Sequence, residues 1–374
     1  MIGRDYIILK NPINMWRANN LKKYVKLAVS VLVTVFFLYL SYDKVGKLEF
    51  SKIVTYPVNY FLVLLSIICF VLAQLFRAMA WSKAMSKELK TFQVFKAICI
   101  GNTTNMILPF RLGEVVRIIV LGNEEKQSYS IVGVNLVLER IIDVIILITL
   151  AVFSIFFVDF SGTVLKKILL LRNLMLVGIV FGILFLLLFN RICFNMGKGQ
   201  NRFTYLQRTV KLFSFFQKIA IIKSSSALAK TIFFLFMSWV WVYICTALGI
   251  LSIGIHIPTV LPAALTVLVM TNLAMLLPSV PGGIGVFQYA SIYALEIFGI
   301  KSLPAAVLSI LLHLIQYAAL LPLGIYFFLN GKYSLTKLVE RKLGKKHITL
   351  WNIAGAANQN KDSDGTGMKK GDKT

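Results

Sequence analysis

Acidic residues, cysteine and histidine are all scarce in this chain. Its 374 residues hold 15 Asp and Glu against 40 Lys and Arg, with four Cys and three His. Cys69, Cys99, Cys193 and Cys245 are scattered through or beside apolar runs, with no C-x-x-C and no His at ligand spacing. That pattern indicates neither a disulfide framework nor a metal site, and the cysteines read as small hydrophobes. His256, His313 and His347 stand equally alone. With no nucleophile motif and no metal motif, neither a catalytic residue nor a cofactor is expected.

Charge of any sign is sparse too. Charged residues make up 15% of the chain and hydrophobic ones 58%, outside the range of a soluble domain. Apolar runs of spanning length recur throughout, which makes the chain an all-α polytopic membrane protein. The runs are continuous and do not alternate, which excludes a β-barrel. A net charge of +25 would suit nucleic acid, but Lys and Arg concentrate between the apolar runs, as the positive-inside bias requires. The expected partners are therefore membrane lipids and not nucleic acid. A basic face also attracts anionic headgroups, by about 1 kcal/mol per residue near the surface.

In chain order, residues 1–26 form a basic N-terminus before an apolar run at about 24–42. A signal peptide has the same order, but Asp43-Lys44 follows the run where small residues would mark cleavage. The run reads as an uncleaved span with a cytoplasmic N-terminus. Further spans are expected at about 58–81, 130–158, 168–189, 231–253 and 303–329, making about six within a transmembrane domain of residues 27–330. Residues 191–230 lack any acidic residue and interleave Arg208, Lys211 and Lys218 with Leu206, Val210 and Phe213, as a cytoplasmic interfacial helix would. Residues 331–374 begin basic and end in a polar tail expected to be disordered and cytoplasmic.

Two apolar segments are interrupted midway. The first, about 93–121, contains Asn102, Asn105, Pro109, Arg111, Gly113, Glu114 and Arg117. The second, about 259–299, contains Asn272, Pro278, Pro281, Gly282, Gly283, Gly285 and Gln288. If both enter and leave on one side, every strongly basic connection and both termini fall in the cytoplasm. The two would then be re-entrant helical hairpins of an inverted repeat, with Pro109, Gly113, Pro278 and Pro281 shaping the turns. Two ordinary spans kinked by proline are the alternative.

Arg111, Glu114 and Arg117 recur at i, i+3 and i+6, along one stripe of a helix beginning after Pro109. Glu139 and Asp143 are four apart on the next span, with Arg140 between them. These six charges sum to zero and suit a neutral intramembrane network. In one reading they only staple the hairpin to the next span. In the other, Arg is released to hold a lipid phosphate through its planar fork. Asn102, Asn105, Gly282, Gly283, Gly285 and Gln288 complete the expected substrate site, the Gly-rich turn offering backbone N–H groups at a helix start. Arg77, near the end of its span, reads as snorkelling to the interface.

Asn102 through Leu108-Pro109-x-Arg111-x-Gly113-Glu114-x-x-Arg117, then Glu139-Arg140-x-x-Asp143, then Pro281-Gly282-Gly283-Ile284-Gly285 resemble the lysylphosphatidylglycerol synthase/flippase transmembrane family. Gln74-x-x-Arg77-x-x-x-Trp81 is similar to that family's second span. The resemblance covers about residues 20–330 and implies a multi-pass inner-membrane protein. Such a protein flips or handles anionic or aminoacylated phospholipid, or a polyprenyl-linked lipid. Members that make lysyl-lipid carry a soluble catalytic domain after the membrane part; here a polar tail follows Leu329, as in stand-alone members. A lipid flippase with a midplane polar site between two hairpins is the leading expectation. The alternatives are an integral-membrane enzyme on a lipid-linked substrate and a membrane partner of a soluble synthase or glycosyltransferase. An oligomer is compatible with all three.

Overall fold

The computed structural model describes residues 28–29, 31–43, 53, 55–85, 89–108, 112–156, 176–178, 180, 184, 225–254, 260–276 and 281–331. The N-terminus 1–26, most of the span expected at 168–189, the interfacial segment up to residue 224 and the tail lie outside the described residues, as do Pro109, Arg111 and Pro278. Two compact units divide the chain, Met1–Phe327 and Phe328–Thr374. The described helices lie in the first, apart from the last residues of the helix that ends at Asn330.

The described residues are helical, without a strand. In chain order the helices are α1 (Val31–Asp43), α2 (Tyr60–Ala84), α3 (Thr91–Ile107), α4 (Leu112–Glu124) and α5 (Tyr129–Ile155). After them come α6 (Ser225–Leu251), α7 (Val260–Ala274), a 3-10 turn (Pro281–Gly283), α8 (Val286–Glu296) and α9 (Ser302–Asn330). α6 therefore starts inside the stretch expected to be interfacial, and takes up its last residues.

Three of these helices, α2, α6 and α9, are long and apolar enough to cross a membrane. α5 has the length, at 27 residues, but carries Glu139, Arg140 and Asp143. Large apolar side chains on α2 (Tyr60, Phe61, Leu64, Ile68) and α9 (Leu314, Ile325, Tyr326, Leu329) are exposed. Such stripes at helical spacing suit acyl chains and not water.

Local chemistry explains the element ends. Asn59 caps α2, its side chain accepting from the N–H groups of Phe61 and Leu62 at 3.1 and 3.3 Å. α3 ends at Leu108, which is extended at φ −105° and ψ 143°. A residue before proline is pushed there by the Pro109 ring. The turn before α8 needs φ values of +72°, +73° and +87° at Gly282, Gly283 and Gly285, a left-handed region where only glycine is free of strain.

α2 packs along α6, and the Asn59 N–H donates to the Ser252 carbonyl at 2.6 Å, so the two run antiparallel. α3 packs on α4 and α7 on α8. α3 and α7 are the inner helices: Val94 and Phe95, Ala97 through Gly101, and Ala263 through Val269 are buried. The larger core joins α2, α6, α7, α8 and α9 through residues such as Cys69, Ile250, Leu295, Leu308 and Ile315. A second joins Ala80, Ile142, Leu235, Trp239 and Leu268 beneath the charged residues of α5.

Candidate functional site

α5 places Glu139 and Asp143 one turn apart on a buried face, and α2 places Arg77 and Trp81 one turn apart opposite them. Arg77 Nη1 lies 2.5 Å from Glu139 Oε1 and 2.6 Å from Asp143 Oδ2. Trp81 Nε1 donates to Glu139 Oε2 at 2.7 Å, and Trp239 Nε1 of α6 donates to Asp143 Oδ1 at 2.9 Å. All four oxygens of this carboxylate pair thus have a donor. Burying the two charges is tolerable only with that degree of satisfaction.

α4 contributes Arg117, whose Nη1 is 3.1 Å from Glu139 Oε2. Its guanidinium carbon sits 3.9 Å from the centre of the Trp81 ring, within cation–π range. Its side chain is only 7% exposed, yet Nε and Nη2 find no partner among the described residues. Arg140 lies at the rim, 46% exposed, with Nη2 3.1 Å from Glu114 Oε1 and Nη1 3.7 Å from Asp143 Oδ2. Partly solvated pairs of this kind contribute little to stability.

The sequence-derived set is thus split. Glu114, Arg117, Glu139, Arg140 and Asp143 come together, while Arg111 lies outside the described residues. Arg77 does not snorkel: it is the central cation of the cluster, balancing both buried carboxylates. Its partners follow 62 and 66 residues later, and only the Arg77-x-x-x-Trp81 spacing hinted at the face they share. Trp239 had no such hint. With Arg77, Arg117 and Arg140 against Glu114, Glu139 and Asp143, the described cluster is neutral.

The two Asn of the first interrupted segment hold backbone and neighbouring helix. Asn102 Nδ2 donates to Gln74 Oε1 at 3.4 Å, and Asn105 Oδ1 accepts from the Gly113 N–H at 2.7 Å. A Cβ on Gly113 would overlap the Gly101 carbonyl oxygen and the Asn105 amide. α3 and α4 therefore approach closely only because both contact residues are glycine.

At the second interruption, side chains bond across the glycine turn. Gln288 Oε1 accepts from the Gly285 N–H at 2.7 Å, which occupies one of the N–H groups offered at the start of α8. Gln288 Nε2 is 2.9 Å from His313 Nδ1, and His313 Nε2 is 3.0 Å from the Gly282 carbonyl. The glutamine amide must donate to Nδ1, so Nε2 carries the imidazole hydrogen and donates to Gly282. His313, which looked isolated in sequence, is thereby a clasp across the Gly282–Gly285 turn. Phe287 stacks on it at 4.5 Å between ring centres. The 3-10 turn also touches α3.

Beside the charged cluster, an apolar groove of about 370 Å³ lies between α5, α6 and α7. Leu150, Phe153, Phe236, Trp239, Val240 and Leu265 are among the residues lining it.

No curated protein sequence and no solved structure matches the chain. The family model described as "Lysylphosphatidylglycerol synthase TM region" matches residues 25–324, spanning α1 to α8, most of α9, the charged cluster and the glycine turn. The chain belongs to the lysylphosphatidylglycerol synthase transmembrane-region family, and it is a helical membrane protein.

Proposed function

We propose that this protein is a lipid flippase or transporter of the cell membrane. It handles anionic or aminoacylated phospholipid, or a polyprenyl-linked lipid, at a polar site between two re-entrant hairpins. The hairpins are α3–α4, opening from the cytoplasm, and α7–α8, opening from outside; both termini are cytoplasmic. Two features support the hairpins. α3 and α7 are enclosed by protein, which is where interrupted backbone is tolerated at membrane depth, and each is followed by a break and a shorter partner helix packed on it.

Arg117 carries the assignment. It is a buried guanidinium with one edge on Glu139, one face on Trp81 and two nitrogens, Nε and Nη2, uncommitted among the described residues. A planar fork with free donors in a dry site suits a phosphate oxygen, and the family's lipid context supplies that chemistry.

The test is reconstitution into liposomes with fluorescent phosphatidylglycerol, lysyl-phosphatidylglycerol and polyprenyl phosphate, comparing wild type with Arg117→Lys and Glu114→Gln. Lysine keeps the charge but lacks the fork, so exposure of at least one lipid should fall roughly tenfold or more, the loss of about 1.4 kcal/mol of recognition. Wild-type protein that is folded yet exposes none of these lipids sinks the reading.

A further inference from the structure

We propose that the apolar groove between α5, α6 and α7 holds one acyl chain of the lipid whose phosphate is bound at Arg117. The inference rests on the function proposed above and specifies the substrate as one with at least one long hydrocarbon chain anchored beside its headgroup. Three observations lead to it.

The groove is concave and built from three helices, unlike the convex lipid-facing stripes of α2 and α9. Its volume of about 370 Å³ falls in the range of ligand pockets, about 300–1,000 Å³. Its mouth is open to the bilayer, since Phe153, Phe236 and Leu261 are 53%, 44% and 61% exposed, whereas Trp239 in its wall is 7% exposed.

The groove is also continuous with the charged cluster. Trp239 lines it and at the same time donates its indole N–H to Asp143. Asp143 shares Arg77 with Glu139, and Glu139 holds Arg117. Trp239, Asp143, Arg77 and Glu139 therefore form one connected chain from the wall of the hydrocarbon-lined space to the headgroup site.

Its direction fits as well. From Asp143 to Phe153, α5 rises about 15 Å at 1.5 Å per residue, away from the cluster. Under the proposed topology that points outward, so a headgroup at Arg117 with its chain in the groove has the orientation of an inner-leaflet lipid. Filling the groove presses on Trp239, which ties occupancy by the chain to the geometry around Asp143.

The experiment is photo-crosslinking in liposomes with phosphatidylglycerol bearing a diazirine in one acyl chain, followed by peptide mapping. Labelling at Phe153, Phe236 and Leu265 should exceed that at Leu64 of α2 and Leu314 of α9, which face bulk lipid, by several-fold. Val240→Trp or Leu150→Trp, each checked for unchanged thermal unfolding, should remove the groove labels and leave those at Leu64 and Leu314. Equal labelling of all five positions in the wild type, or groove labels that survive both substitutions, overturns the groove as a chain site. A diacylglycerol carrying the same chain separates the two readings. If it labels the groove as strongly as the phospholipid does, and Arg117→Lys changes neither, the headgroup assignment fails and the groove stands. If lipid exposure depends on Arg117 while the groove stays unlabelled, the groove fails and the headgroup site stands.

Discussion

The Arg117 guanidinium lies over the Trp81 ring, its Cζ 3.9 Å from the ring centre, while the edge of the same indole donates to Glu139 at 2.7 Å. One tryptophan thus positions a cation and that cation's counter-ion together. Trp81→Phe keeps an aromatic face for Arg117 and removes the N–H. Glu139 Oε2 then retains only Arg117, at 3.1 Å. We expect a loss of about 1–3 kcal/mol, the cost of leaving a buried acceptor short of a donor, and Trp81→Leu should cost more because the face goes too. Thermal unfolding in detergent ranks the three proteins; a phenylalanine variant as stable as wild type would remove the indole N–H from the account.

Arg77 is the hub of the buried pair. Arg77→Gln leaves Glu139 and Asp143 close together with one cation fewer, and breaking a buried pair costs about 3–5 kcal/mol. Adding Asp143→Asn removes one of the stranded charges and should restore part of the stability. The double-mutant cycle reads this coupling, and strict additivity would mean that the two side chains do not interact.

Two glycines make opposite predictions. Gly113→Ala drives a methyl into the Gly101 carbonyl and the Asn105 amide, whereas a Cβ at Gly133 meets only Ile118 Cδ1, at 3.7 Å. The first substitution should separate α3 from α4 and lower both stability and yield, by about 1–3 kcal/mol as for other overpacking. Gly133→Ala should be neutral or stabilising by up to about 1 kcal/mol from helix propensity. The order of the two melting temperatures decides the matter.

The re-entrant topology can be read chemically. In a background without native cysteines, Phe92→Cys and Glu124→Cys, at the two ends of α3–α4, should both label from the cytoplasmic side. Leu261→Cys and Ile297→Cys, at the ends of α7–α8, should both label from outside. Reactivity of either pair from opposite faces would turn those hairpins into ordinary kinked spans.

Gln288→Leu should loosen the second turn. It takes the acceptor from the Gly285 N–H and the donor from His313 at once, costing about 1–3 kcal/mol for each buried group left unpaired. Hydrogen exchange at residues 285–288 should rise while α2 stays protected. Uniform protection would show that the glycine conformations hold without the clasp.

Much of this was legible in the sequence where the signal is local. Hydropathy located α2, α6 and α9 to within a few residues, save that α6 starts some six residues early. Pro109 marked the end of α3, and Glu139 and Asp143 declared a shared face by their spacing. Partnership across the chain was not legible. A charge near a span's end has the same sequence signature whether it reaches water or a carboxylate 62 residues on, as Arg77 does. His313 and Gln288, 25 residues apart, and the Gly101–Gly113 contact depend in the same way on the fold having formed.

The Thr103 hydroxyl donates to the Leu320 carbonyl at 3.0 Å, across 217 residues, beside Pro322 and with Gly324 fitted against Cys99 and Thr103. An inner helix from the first third of the chain therefore finishes its packing against a helix synthesised 217 residues later. During biogenesis α3 and its polar groups must wait in the insertion machinery, or among lipids, until α9 emerges. A nascent chain stalled before Leu320 would hold an unfinished α3, the form that membrane quality control is placed to detect.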